Sequence, residues 1–164
     1  MPTNLYGRGD NYHPTNSHVI PALLRKFHEA KQRSDSAVTV WGTGTPRREF
    51  LYSDDMADAC VHLLNLPDDR YTALLGSDET VTGRFEPPLV NIGLGNDVTI
   101  AELVGLVRQT VGYQGGIVYD SSKPDGTPRK LMDVGLIGRT GWQATTSLVD
   151  GLQAAYTEFA AANP

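Results

Sequence analysis

The sequence predicts an α/β fold, and two observations carry that prediction. Stretches whose apolar residues recur at helical spacing alternate with short extended stretches rich in Val, Ile and Tyr. The extended stretches are few, short and widely spaced, so they do not supply a complete sheet for a doubly wound domain. The chain also opens in a loop with no element before it to hold it. Together these features create the expectation of a preceding segment.

Residues 1–17 are rich in Pro, Asn, Gly and His and read as loop. A helix is expected from about 18 to 32, with Ser17 as N-cap and Pro21 in the first turn, where backbone N–H groups lack helical partners. Ile20, Leu23, Leu24 and Phe27 repeat at helical spacing and form its inward face. Val38 to Trp41 alternates as a strand, and Gly42-Thr43-Gly44-Thr45-Pro46 turns it. Arg48 to Tyr52 reads as a second extended segment. Ser53 or Asp54 is expected to cap a helix whose apolar side is Met56, Ala59, Cys60, Leu63 and Leu64.

Residues 67–88 hold Pro, Asp, Gly, Ser and Glu with little periodicity and read as an exposed insertion loop. Leu89 to Ile92 is expected to be a short buried strand. Thr99 and Glu102 spell a capping box for a helix with Ile100, Leu103, Val107 and Val111 inward. Gly116 to Tyr119 reads as another strand, and Ser121 to Arg129 as a Pro/Gly-punctuated loop. A helical turn is expected near Val134 to Ile137. Ser147 then caps a last helix that buries Leu152, Ala155, Tyr156 and Phe159.

A chain of 164 residues suits one domain with a real core. Its net charge of −5 gives no general attraction to nucleic acid or to an anionic membrane, so neither is an expected partner. Any anion must therefore be captured by a local cluster of cations. Cys60 is the single cysteine, which excludes disulfides and Cys-based zinc sites within one chain, and its place in the helical pattern suggests a buried, inert thiol. No apolar run approaches membrane-spanning length, and Met1-Pro2-Thr3-Asn4 does not open a signal peptide. The expected location is cytoplasmic.

Three clusters could carry chemistry. In Ser17-His18-Val19-Ile20-Pro21-Ala22-Leu23-Leu24-Arg25-Lys26, an imidazole stands at the mouth of a helix and a cation about 12 Å further along its axis. That span suits a ligand with a reactive centre at one end and an anionic group at the other; an ordinary amphipathic helix with solvated ends explains the same pair. Arg47-Arg48 follows a turn beside Trp41. An arginine fork can grip phosphate oxygens and an indole offers a stacking surface, although a solvated strand edge would look alike. Lys123 to Lys130 is a stiff loop in which Asp125 can accept hydroxyl donors, and a plain surface loop is the alternative.

Other patterns are set aside. Gly93-Leu94-Gly95 invites a dinucleotide fingerprint, but the third glycine would fall at Val98, so a tight strand-to-helix connection is the better reading. His13, His28 and His62 lack ligand-like partners at metal spacing and are taken as structural, with no metal expected. There is no G-x-S-x-G elbow and no P-loop, and no Tyr-x-x-x-Lys pair is read anywhere in the chain.

Taken in order, Pro2-Thr3-Asn4-Leu5-Tyr6-Gly7, Asn16-Ser17-His18-Val19-Ile20-Pro21, Trp41-Gly42-Thr43-Gly44, Arg48-Glu49-Phe50 with Asp54-Asp55-Met56, and Ser122-Lys123-Pro124-Asp125-Gly126-Thr127-Pro128-Arg129-Lys130 resemble one family. It is the GDP-L-fucose synthase family, GDP-4-keto-6-deoxy-D-mannose 3,5-epimerase/4-reductases of the extended short-chain dehydrogenase/reductase superfamily. The resemblance covers nearly the whole chain. It implies the C-terminal, substrate-binding part of a Rossmann-type NAD(P)-binding enzyme over 1–164, with about 1–7 and 89–93 as remnants of the Rossmann sheet.

By that resemblance His18 matches the acid/base histidine of the epimerisation and counts also among the cofactor-binding residues. Lys26, Trp41, Arg48 and Asp125 match positions that hold the GDP-sugar. Pro2, Thr3, Asn4 and Leu5 match the loop at the nicotinamide end of NADPH. An imidazole suits acid/base work because its unperturbed pKa, about 6.5, lies near working pH. The family's glycine-rich NADP fingerprint, its Ser and Tyr-x-x-x-Lys reduction residues and its partner catalytic cysteine are expected upstream of Met1, and Cys60 does not match that cysteine.

The expectation is thus an incomplete NADP(H) site, a missing N-terminal Rossmann half and an intact enzyme that is a homodimer. The isolated chain is expected to bind a GDP-sugar at most and to reduce no ketone. The alternatives are another NAD(P)-dependent sugar-nucleotide epimerase or dehydratase, against which the Asn-Ser-His-Val-Ile-Pro segment argues, and a non-catalytic GDP-sugar-binding module from a truncated gene.

Overall fold

A computed structural model describes residues 1–74 and 89–163. The elements run β1 (Asn4–Tyr6), α1 (Val19–Arg33), β2 (Ala37–Trp41), β3 (Arg47–Arg48), β4 (Phe50–Tyr52), α2 (Ser53–Leu64), α3 (Asp68–Leu74), β5 (Val98–Thr99), α4 (Ile100–Val111), β6 (Gly116–Asp120), β7 (Arg129–Lys130), α5 (Gly135–Gly138) and α6 (Leu148–Ala162). Long helices with short, mainly parallel strand pairs make this the α/β class that the sequence predicts. Among the described residues the strands form three small sheets: β1 with β4 in parallel, β2 with β6 in parallel, and β3 between antiparallel β5 and parallel β7.

The main core lies between α1, α4, α6 and the inner residues of β2 and β4. Leu24 and Phe27 of α1 meet Leu103, Val104 and Val107 of α4, Leu152 and Ala155 of α6, and Val38 and Val40 of β2. Leu24 and Phe27 are wholly buried, and burial of such a side chain contributes about 1.5–3 kcal/mol. A second cluster gathers Leu51, Ala59, Ile92, Ile137 and Trp142 beneath α2. The buried carboxylate of Asp55 on α2 accepts from Thr145 Oγ1 (2.9 Å) and the Thr146 amide (2.9 Å), which anchors the chain leading to α6.

Helix ends follow local chemistry in some places and depart from it in others. Thr99 and Glu102 form the expected capping box, and Ser147 caps α6 through the Asp150 amide. In α1 the N-cap is His18 rather than Ser17, with no side-chain cap bond, and Pro21 sits in the first turn, where its missing N–H costs nothing. Tyr52, not Ser53 or Asp54, occupies the N-cap of α2, because β4 runs directly into the helix.

Three further expectations need correction. Cys60 is exposed: α2 turns Asp55 and Ala59 inward, and Cys60, Val61 and Leu64 point to solvent. Leu89 to Ile92 is no buried strand; Leu89 is exposed, and only Ile92 makes an isolated parallel bridge, to Pro2. Part of the 67–88 insertion is helical, since Asp68–Leu74 forms α3 with acidic residues in its first turn, as the helix dipole favours. Residues 75–88 lie outside the described residues.

Candidate nucleotide-sugar site

Strands β2 and β6 run parallel and in register until Trp41 stands opposite Asp120. The loops leaving their carboxyl ends, 42–46 and 121–128, meet over a cavity of about 260 Å³. The crevice beyond the carboxyl ends of parallel strands is where α/β folds commonly seat ligands. One wall is a stripe of α1, Val19, Ala22, Leu23 and Lys26, which share a face by their spacing. Trp41, Gly44 and Pro46, Arg48 of β3, Ile100 of α4 and the Pro124–Gly126 segment complete it.

Lys26, Trp41, Arg48 and Asp125 therefore line one cavity, although three separate elements and a loop deliver them. The Lys26 ammonium donates to the Thr39 carbonyl (2.9 Å), which leaves it further donors. Trp41 is 69% exposed, and the Lys123 Nζ lies 5.6 Å from the centre of its ring. The Asp125 carboxylate accepts from the Thr43 amide (2.9 Å) and from Thr43 Oγ1 (2.6 Å). The Thr43 hydroxyl and amide hold its carboxyl below the usual carboxylate range.

Alternation along β3 separates the two arginines. Arg47 Nε donates to Asp97 (2.7 Å), which Arg129 also grips, and the Asp97 side chain is only 3% exposed. Arg129 and Arg47 together hold the Asp97 carboxyl below its usual range. Among the described residues the Arg48 side chain makes one hydrogen bond, Nη1 to the Arg47 carbonyl (2.7 Å), and it lines this cavity as well as a neighbouring one beside Phe50. Of this pair, Arg48 is the member that lines the cavity.

His18 is exposed at the N-terminus of α1, next to cavity-lining Val19, and among the described residues no hydrogen bond fixes its ring. Pro2, Thr3 and Asn4 lie elsewhere, on the wall of a different cavity of about 480 Å³ that also contains Lys130 and Met132. Leu5 is part-exposed on β1 and does not line it. Thr3 Oγ1 (3.2 Å) and Asn4 Nδ2 (2.8 Å) both donate to the Glu49 carbonyl.

The remaining histidines are held in place. His28 is buried between the Tyr156 hydroxyl (3.0 Å) and the Asn163 carbonyl (2.8 Å), and His62 meets Thr140 Oγ1 (2.8 Å). Among the described residues, no group of three or more His, Cys, Asp or Glu side chains could hold a metal ion, and no helix is long and apolar enough to cross a membrane. One sequence reading is wrong as stated: Tyr119 and Lys123 do stand at Tyr-x-x-x-Lys spacing. Tyr119 lies in β6 and Lys123 in the turn after it, so the pair does not share a helix face as that spacing would require.

Sequence reasoning missed Glu49, Asp97 and Thr43. Glu49 is fully buried and accepts from the Gly95 (2.7 Å) and Met132 (3.0 Å) amides. A Cβ on Gly93 would lie 2.4 Å from Glu49 Oε1, so Gly93 makes room for this carboxylate. The paired glycines were a signal for the close approach, but nothing local in sequence names its partner.

Residues 1–74 match the NAD dependent epimerase/dehydratase family. Over 156 residues the chain is 53% identical to GDP-L-fucose synthase 1 of Arabidopsis thaliana, covering 95% of this chain and 43% of the relative. It is 50% identical over 161 residues to the GDP-L-fucose synthase of Escherichia coli K12, covering 97% of this chain and 47% of that protein. The chain thus spans about half the length of the curated relatives it matches. Among solved structures, a GDP-6-OMe-4-keto-L-xylo-heptose reductase from Campylobacter jejuni superimposes with a TM-score of 0.85 at 32% identity, over 99% of this chain and 53% of that one. A GDP-L-fucose synthetase from Naegleria fowleri bound to NADP shares the fold, with a TM-score of 0.77 at 24% identity over 98% of this chain and 45% of that one.

Proposed function

From a chain that is similar along nearly its whole length to GDP-L-fucose synthases, we propose that it forms the GDP-sugar-binding part of such an enzyme. That enzyme converts GDP-4-keto-6-deoxy-D-mannose to GDP-L-fucose by 3,5-epimerisation and NADPH-dependent reduction at C4. The observation that carries the reading is the convergence of Lys26, Trp41, Arg48 and Asp125 on one cavity. Arg48 and Lys26 meet the diphosphate, with the guanidinium fork matching two phosphate oxygens. Trp41 provides a face for the guanine ring, and Asp125 accepts from ligand hydroxyl or amine donors.

His18, the residue before cavity-lining Val19, is the acid/base group. The 4-keto group acidifies the hydrogens on C3 and C5. In each inversion one group removes a proton and a second returns one to the opposite face of the sugar ring. The exposed imidazole, with no hydrogen bond holding its ring among the described residues, is free to turn toward the sugar. NADPH supplies the hydride that reduces C4. The chain's own contribution to that cofactor is Pro2 to Leu5 with His18. Thr3 gives its hydroxyl proton and Asn4 one of its two amide N–H groups to the Glu49 carbonyl, which leaves Asn4 a second donor for the ligand. The chain holds no glycine-rich fingerprint between a strand and a helix, and no helical Tyr-x-x-x-Lys pair. Alone it binds the GDP-sugar and reduces no ketone.

Calorimetric titration of the chain with GDP tests the binding role. The expected result is saturable binding, weakened at least about tenfold by Arg48→Ala, since a hydrogen bond to a charged group contributes about 1.5–3 kcal/mol. Absence of binding, or an Arg48→Ala variant that binds as well, overturns it. UDP binding equal to GDP favours a sister sugar-nucleotide enzyme. NADPH consumption by the chain alone overturns the expected inactivity.

A further inference from the structure

We infer that Thr43 is a positioning residue: it fixes the carboxylate of Asp125 in the ligand cavity and, through it, holds the 121–128 loop as the cavity's roof. The inference rests on the GDP-sugar reading for its ligand but not for its geometry. Residues 121–130 are exposed throughout. Among the described residues, the segment from Pro124 to Thr127 is hydrogen-bonded to the rest of the protein only through Asp125 and Thr43. The next tie is the Arg47 amide to the Pro128 carbonyl (2.8 Å).

The contact is two-pronged. The Thr43 amide donates to Oδ1 (2.9 Å) and the Thr43 hydroxyl to Oδ2 (2.6 Å), so the carboxylate plane is fixed. The direction of the hydroxyl proton is fixed from behind. Thr43 Oγ1 accepts from the Thr45 amide (3.2 Å) and lies 2.7 Å from Thr45 Oγ1, which leaves the single Thr43 proton for Asp125. Gly42 makes the approach possible. Its φ of +82° suits glycine, and a Cβ there would stand 2.3 Å from Asp125 Oδ1.

A carboxylate oxygen can accept more than one hydrogen bond, and Thr43 occupies one position on each. The remaining lone pairs are thereby presented to the cavity in a set orientation, so ligand donors meet a preorganised acceptor rather than a mobile loop side chain. Thr43 itself does not line the cavity. Its effect on a ligand passes through Asp125.

The test uses Thr43→Val, which keeps shape and amide but removes the hydroxyl, and Thr43→Ser, which keeps the hydroxyl. GDP affinity is expected to fall about 5- to 30-fold in Thr43→Val and to stay within about twofold in Thr43→Ser. In an Asp125→Ala background, Thr43→Val should change affinity no further. A Thr43→Val variant that binds like the parent, or that weakens binding equally without Asp125, overturns the inference. A second readout needs no ligand: NMR titration of the Asp125 carboxyl should show its midpoint moving up toward the ordinary carboxylate value in Thr43→Val. If the unmodified chain binds no GDP but this midpoint moves, the GDP-sugar reading falls and the latch stands. If GDP binds and the midpoint does not move, the latch falls.

Discussion

Replacing Glu49 with alanine should destabilise the chain by about 3 kcal/mol, and the figure can be worked from its surroundings. The carboxylate is fully buried and accepts from the Gly95 and Met132 amides at 2.7 and 3.0 Å. Among the described residues no cation pairs with it. Alanine strands both donors, at about 1–3 kcal/mol each. Two effects offset this: the variant no longer desolvates a charge, and the vacated space beside Gly93 admits water to the amides. Glu49→Gln keeps one acceptor oxygen and turns its amide group toward the other N–H, so about half the loss is expected. Equilibrium urea denaturation read by tryptophan fluorescence suits the measurement, because Trp142 is buried beneath α2 and donates to Asp58 Oδ2 (2.8 Å). Both variants within about 0.5 kcal/mol of the parent, or glutamine costing more than alanine, would refute the reasoning.

Two other outcomes follow from the charges and the thiol. The Asp97 carboxyl, held low by Arg129 and Arg47, stabilises the fold above the ordinary carboxylate value of about 3.8, and that contribution is lost as pH falls through its lower folded value. The gap in urea midpoint between the parent and Asp97→Asn should therefore hold from about pH 7 to 5 and narrow only below about pH 4; narrowing nearer neutrality contradicts the ion-pair account. Cys60, exposed on α2, should react with a thiol reagent in the native chain nearly as fast as in urea, whereas a thiol that reacts only on unfolding means that this face of α2 is covered in solution.

How far the fold could be read depended on whether its cause was local. The capping box at Thr99 and Glu102 and the stripe Ile20, Leu23, Leu24, Phe27 are determined within a few residues, and both stand where the sequence places them. Lys26, Trp41, Arg48 and Asp125 were legible as separate clusters and, through the family resemblance, as one pocket. Spacing alone could not join them, because β6 must add to β2 before the Asp125 loop reaches Trp41. Asp97 joining Arg47 to Arg129, Glu49 filling the space beside Gly93, and Thr43 gripping Asp125 were invisible for the same reason. Each is a contact between segments far apart in sequence. Cys60 was misread because helical periodicity finds an apolar stripe without saying how much of it is covered, and on α2 only Asp55 and Ala59 are buried.

The strand pairing bears on time as well as place. Among the described residues no strand pairs with the next one along the chain: Asn4 meets Phe50, Ala37 meets Gly116, and Arg47 meets both Thr99 and Arg129. Among the described residues there is thus no hairpin from which a sheet could start, and each of these ladders must close a long loop before its first bond forms. Helices α1, α4 and α6 can form early, since their contacts are local. The cavity lined by Lys26, Trp41, Arg48 and Asp125, which needs β2 beside β6 and β3 beside β7, is therefore a late product of folding. A chain of this topology refolds in milliseconds to seconds rather than microseconds, and competence to bind should emerge only in its slowest phase.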